Sequence, residues 1–236
     1  MHLAEVYHAS RTRLMEQAAN LTEAQQSAQV PATPLWTVAD VYRHLTGVAS
    51  DVLTGRLEGR GTPEWTAVQV ASRAELGLAE VCAEWDQIAP KLEQLIHDSG
   101  FEMARACFDV WAHEQDVADA LGGEGDRSDP AIPTLVASLL AMLRGNWAAH
   151  PDLPTVELVV DGDSHRYGEG EPELTLRSSG YEFVRMIISR RSKEQMLAAD
   201  WTGASPSRIF DALCVFPLPE DHLADVPGDA RGWARD

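Results

Sequence analysis

Asp109, His113 and Asp116 stand at intervals of four and three in "DVWAHEQD" (109–116), inside a stretch whose apolar residues recur with helical spacing. Side chains four apart on a helix stack one turn above the other, so the Asp109 carboxylate and the His113 imidazole leave the same face. That face adjoins the stripe Ala106, Val110, Val117 and Leu121, which puts the pair at the edge of the core or within it. His44 has a similar position beside Val41, Leu45 and Val48 in "WTVADVYRHLTG". An imidazole from one helix and a carboxylate plus an imidazole from another supply nitrogen and oxygen donors on rigid rods. A divalent metal takes such a set inside a helical bundle, with positions left open for water or substrate. Asp116, one turn past His113, would hold a ligating imidazole by its second N–H. The spacing also fits histidines hydrogen-bonded to backbone carbonyls, because Asp-x-x-x-His pairs are common in helices.

The elements that must position these groups follow from periodicity and chain punctuation. Leu3, Val6, Leu14 and Ala18 predict an opening helix over roughly 2–20, which "PATP" then breaks. Thr37 is the expected N-cap of a second helix, with Asp40 three residues on as a short form of the capping box. Leu78, Val81, Trp85, Ile88, Leu92 and Leu95 predict a third helix over about 73–98, kinked at Pro90, and a fourth runs over about 101–121 to Gly122-Gly123. A further helix at about 133–148 is expected to lie over them. After "AHPDLP" (149–154) the pattern changes: "TVELVVDGD" and "PELTLRSS" alternate at period two, whereas "YEFVRMIISR" and "SPSRIFDAL" are helical. The expected architecture is an α+β chain of two domains. An antiparallel four-helix bundle spans 1–149 and a small α+β domain spans 150–236.

Composition narrows the function. With 236 residues, 44% of them hydrophobic, the chain can bury a core of ordinary size without disulfides. Cys82, Cys107 and Cys214 are odd in number and embedded in apolar sequence, as buried thiols in a reducing compartment are. The N-terminus lacks a signal-peptide pattern and no apolar run approaches the ~20 residues of a bilayer span, so a cytoplasmic location is expected. A formal charge of −18 opposes binding to nucleic acid and to anionic membranes, although "SRRSK" (189–193) could receive a small anion.

Three segments in this order, "VPATPLWTVADVYRHLTG", "DVWAHEQDVADALG" and "ELTLRSSGYEFVRMIISRRS", resemble the mycothiol-dependent maleylpyruvate isomerase family, of the DinB-like metal-binding superfamily. The similarity spans about residues 5–215. It implies an N-terminal four-helix bundle holding a divalent metal, usually zinc, and a C-terminal domain like that of sterol carrier proteins. The family's metal triad falls on His44, Asp109 and His113, with Asp109 standing where the family carries Glu. An arginine follows the first helix of the family's second domain, commonly in a Gly-Arg step. Here Ser189-Arg190 occupies that step with Arg191 behind it. Arg190 is thus the candidate anion anchor and cofactor-binding residue and Arg191 the reserve; a basic helix C-terminus favoured by the macrodipole explains them as well.

The resemblance further implies a thiol cosubstrate, mycothiol, and a small maleylpyruvate-like electrophile. The thiol adds reversibly to a cis-enone acid, rotation follows, and elimination gives the trans isomer; in related transferases the adduct stays. Two other readings compete: a non-catalytic metal- or ligand-binding regulatory module of the same fold, and a metal-dependent hydrolase. A monomer or weak homodimer is expected. Trp36 and Trp111 are read as core, Cys107 as an inert buried thiol, and Glu114 as capping the exposed face. His97, His150, His165 and His222 are read as solvated, and "DGDSHRYGEGE" as a hairpin turn without EF-hand spacing.

Overall fold

Thr37 starts the helix that carries His44, as its side chain predicts. Its Oγ1 accepts from Asp40 N–H at 3.2 Å, while Asp40 Oδ2 accepts from Thr37 N–H at 3.0 Å and from the Thr37 hydroxyl at 2.8 Å. The computed structural model describes residues 1–219. Its elements, in order, are α1 (Leu3–Ala18), α2 (Glu23–Gln26), α3 (Val38–Thr54), α4 (Pro63–Ala71), α5 (Leu78–Ser99), α6 (Ala104–Ala120), α7 (Ile132–Ala149), β1 (Val156–Val160), β2 (Asp163–Tyr167), β3 (Leu174–Ser178), α8 (Gly180–Ile187), α9 (Lys193–Ala198), β4 (Trp201–Gly203) and α10 (Phe210–Leu213). The chain divides into two compact units between Gly125 and Asp126.

In the first unit the long helices α1, α3, α5 and α6 share one core: α1 packs on α5 and α6, and α3 on the same two. Trp85 and Trp111 are fully buried there with Leu14, Leu92 and Ile96. Trp85 Nε1 donates to Tyr7 Oη at 2.9 Å and Tyr42 Oη donates to the Leu14 carbonyl at 2.9 Å, so the buried polar ends are satisfied. Helix α5 runs on through Pro90. Helix α6 stops where expected: Gly122 takes φ 77° and Gly123 N–H reaches back to the Ala118 carbonyl at 2.8 Å. Helix α4, absent from the expected set, opens at Thr62-Pro63 and lies on α3.

The cap of α3 carries a measurable share of stability. Burial pushes the Asp40 carboxyl up, but hydrogen bonds from the Thr37 N–H and hydroxyl and from Arg43 outweigh it and hold the group below its ordinary value. A carboxylate depressed in the folded state stabilises above its unfolded pKa of about 3.9, and that contribution is lost as pH falls through the lower folded value. Thr37→Ala is expected to cost about 1 kcal/mol at neutral pH, and less below pH 3, in urea titrations.

The second unit carries a mixed sheet of order β2-β1-β3-β4 in which β1 is antiparallel to β2 and parallel to β3, and β3 is antiparallel to β4. The β1–β2 turn is Asp161-Gly162 with both φ angles positive, 50° and 91°, the signature of a tight hairpin. The expected hairpin is therefore present, with strand β2 in its second arm. Helix α8 is buried along its length. The expected boundary at 149/150 is displaced: α7 packs on α8 and β2, inside this unit. Tyr167 Oη donates to the Leu140 carbonyl at 2.9 Å and Trp147 Nε1 to the Pro154 carbonyl at 3.0 Å, so "AHPDLP" is an internal turn of the unit. An apolar helix face shows that it packs, not on what. Among the described residues no helix is long and apolar enough to cross a membrane.

Candidate metal centre

Helices α3 and α6 bring His44, Asp109 and His113 together, and one ligand atom from each lies within 4.8 Å of the others. His44 Nε2 is 3.3 Å from Asp109 Oδ2, and His113 Nε2 is 3.6 Å from Asp109 Oδ1. Ligand atoms about 2.1 Å from a tetrahedral zinc sit about 3.4 Å apart, so these separations suit one shared cation. The two imidazoles are 4% and 3% exposed, whereas the Asp109 side chain is 20% exposed and forms the open side of the group.

The outer nitrogen of each ring faces a polar side chain. His44 Nδ1 lies 2.8 Å from Gln69 Oε1, and an amide oxygen only accepts, so Nδ1 carries the proton. His113 Nδ1 lies 3.2 Å from the fully buried carboxylate of Asp116, as the spacing of three predicts. With the proton on its outer nitrogen, each ring turns its Nε2 lone pair toward Asp109. Two lone pairs facing one carboxylate repel unless a positive charge sits among them, and either protonated imidazoles or a divalent cation would supply it. The residues thus fit a divalent ion of borderline softness, zinc among them.

Trp36 covers the pair. Its ring centroid is 4.7 Å from that of His44 and 5.8 Å from that of His113, and the ring is only half-buried. This corrects its reading as core, which holds for Trp111. A loop residue has no helical stripe to reveal its neighbours; here Trp36 is fixed by its N–H on the Thr33 carbonyl at 2.8 Å and by Val30 N–H on its own carbonyl at 3.0 Å. Gln69 also escapes periodicity, because α4 is short, although Thr62-Pro63-Glu64 is a helix-start signal. Glu114 does not cap an exposed face: its side chain is paired with Arg13 of α1 and mostly buried.

The protein's thiols are withdrawn from such chemistry. Burial pushes Cys82 up to about 11 and Cys107 up to about 12, and Cys214, by burial and the nearby Asp211, up to about 12. Cys107 Sγ donates to the Leu3 carbonyl at 3.3 Å, away from Asp109. His97 and His150 are exposed, His165 is half-buried on β2, and His222 lies outside the described residues.

In the second unit Arg190 and Arg191 differ sharply. The buried Arg191 guanidinium places Nε at 3.0 Å and Nη2 at 2.7 Å from Glu182 Oε2, inside its own unit. Arg190 is half-buried, and its N–H closes α8 on the Arg185 carbonyl at 2.8 Å. Ser189 between them and the helix takes φ 62°, a left-handed conformation in which glycine is at ease. Its hydroxyl donates to the Phe216 carbonyl at 2.6 Å and accepts from Phe216 N–H at 3.2 Å, which offsets the strain.

Residues 7–118 match the family model described as the mycothiol maleylpyruvate isomerase N-terminal domain. Among solved structures the chain resembles the crystal structure of the mycothiol-dependent maleylpyruvate isomerase, at 16% identity and a TM-score of 0.52, over 81% of this chain and 89% of that one. A histidine-to-alanine mutant of the same enzyme gives 16% identity and a TM-score of 0.48 over 80% and 88%. At that identity the first likeness speaks to the fold, a helical N-terminal part followed by a small sheet. No curated protein matches the chain.

Proposed function

We propose that the chain, whose residues 7–118 match the mycothiol maleylpyruvate isomerase N-terminal domain, is a metal- and mycothiol-dependent isomerase or S-transferase. Its substrate is a small electrophilic acid related to maleylpyruvate. The observation that carries this reading is the pair of imidazoles whose Nε2 atoms face the Asp109 carboxylate at 3.3 and 3.6 Å. His44, Asp109 and His113 hold the ion, with zinc the best match to two nitrogens and one oxygen, on a four-helix bundle of DinB-like type. An ion held by these three residues would lower the pKa of a bound thiol and so would supply thiolate at neutral pH.

The chain's own groups do the rest. Gln69 holds the His44 ring by its outer nitrogen, the Asp116 carboxylate lies 3.2 Å from that of His113, and Trp36 keeps water from one side of the pair. The exposed edge of Asp109 marks the approach for thiol and electrophile. Buried cysteines with raised pKa values leave the nucleophile to a cosubstrate and suit a cytoplasmic protein. Arg190, in the sterol-carrier-like second domain, binds a carboxylate of thiol or substrate through paired hydrogen bonds; Arg191 is held by Glu182.

The test is turnover of maleylpyruvate by the zinc-loaded protein with mycothiol, with other low-molecular-weight thiols, and with none. Mycothiol-dependent turnover is expected, and Arg190→Ala is expected to lower kcat/KM by about 10- to 100-fold, the loss of one charge-assisted pair. Zinc uptake without any thiol dependence would instead favour a binding module or a hydrolase.

A further inference from the structure

We infer that Gln69 is a positioning residue for the candidate metal centre, the middle of a directed relay Arg56–Asp51–Gln69–His44 that fixes which nitrogen of His44 faces the ion. The inference rests on the metal reading above and goes beyond it by assigning a role to α4.

The direction of the relay follows from chemistry at its outer end. Gln69 Nε2 donates to Asp51 Oδ2 at 2.9 Å, and Asp51 Oδ1 receives Arg56 Nε at 2.9 Å. A carboxylate paired with a guanidinium accepts and does not donate, so the Gln69 amide must turn its NH2 to Asp51. Its oxygen is then committed to His44, 2.8 Å away, and His44 has only one tautomer that satisfies both sides. Gln69 and Asp51 are buried, 2% and 8% exposed, so water cannot take over either bond without cost. A leucine or methionine at 69 would fill the space and leave the tautomer unselected.

The backbone is arranged for this contact. Gly47, three residues after His44 on α3, faces α4: a Cβ there would lie 2.4 Å from Gln69 Cβ and 2.7 Å from its Cγ. Only glycine lets α4 approach closely enough for a glutamine to reach the imidazole. Asp51, one turn further along α3, then receives the other end of the same amide. Three positions on one helix, His44, Gly47 and Asp51, thus serve a single side chain of the next.

The test measures zinc and cobalt(II) affinity of the full-length chain by competition with a chelator, with the melting temperature of each metal-free protein recorded alongside. Gln69→Met is expected to weaken both ions by about 10- to 100-fold. The double variant Gln69→Glu/Asp51→Asn reverses both which partner is the acid and the direction of the bond between them, the new amide donating to the new carboxylate, yet residue 69 still offers an acceptor oxygen to His44 Nδ1–H. It is expected to recover affinity to within about threefold of wild type. Gln69→Glu alone sets two carboxylates together and is expected to melt lower. A merely structural role for Gln69 would lower melting temperatures without this pattern of loss and rescue in affinity. Wild type and Gln69→Met binding equally, with His113→Ala binding nothing, would overturn this inference alone. Absence of binding by wild type would overturn the metal reading and the inference with it.

Discussion

His113→Ala protein is expected to leave purification with about a tenth or less of the zinc that the wild-type chain carries, and to gain no thermal stability when zinc is added. The expectation follows from the count of donors. With His113 gone, one imidazole and one carboxylate remain, and Asp116, fully buried, loses the ring beside it. Ligand orientation alone is worth 10- to 100-fold in affinity, and a missing ligand costs at least as much. Linkage supplies a second readout: an ion that binds only the folded chain adds about 2.7 kcal/mol at 100 times its Kd, so wild type should melt higher in zinc and the variant should not. Asp109→Asn keeps the shape and removes the charge that two lone pairs face, and should behave likewise. Asp109→Glu is informative in the other direction. It restores the longer acid of the resembling family and is expected to bind zinc at least as tightly if α3 and α6 can accommodate one methylene. Equal zinc in wild type and His113→Ala would remove the site.

The second large effect lies away from the metal. Glu182→Ala is expected to destabilise the second unit by about 3–5 kcal/mol, because it strands a buried cation. Glu182 and Arg191 are 4% and 3% exposed at the side chain, with two Arg191 donors on one carboxylate oxygen, while Arg127 reaches the other oxygen from a half-exposed position. Arg191→Ala should cost a similar amount. A Glu182→Met/Arg191→Met double variant should recover most of it, since an apolar pair has no charge to desolvate. Denaturant titration followed by the sheet signal would read this, and a loss below about 1 kcal/mol would show the pair to be hydrated in solution. If the loss is found, Arg191 belongs to the scaffold of the second unit.

What the sequence disclosed was local. Thr37 and Asp40, Gly122-Gly123 and Asp161-Gly162 each settle their own geometry within three or four residues, and all stand where their chemistry puts them. Asp109 and His113 were found because a helix makes four-residue spacing into adjacency, and His44 because its apolar neighbours place it on a packed face. Gln69 stood hidden: it meets His44 across a separation of 25 residues, from a nine-residue helix whose Val68 is largely exposed. Glu114 was misread for the same reason, since the Arg13 that buries it lies 101 residues away. The location of α7 was likewise undecidable from its own residues, as Leu135, Leu139 and Leu143 would suit either unit.

The three cysteines give the chain a chemical quietness that matters for any protein handling Michael acceptors. With their ordinary pKa near 8.5, several per cent of free thiols ionise at pH 7.5; at the values near 11 to 12 that burial produces here, only about one in a thousand or fewer does. A reactive alkene arriving in solution would therefore be captured by a small-molecule thiol long before it alkylated any of these three cysteines.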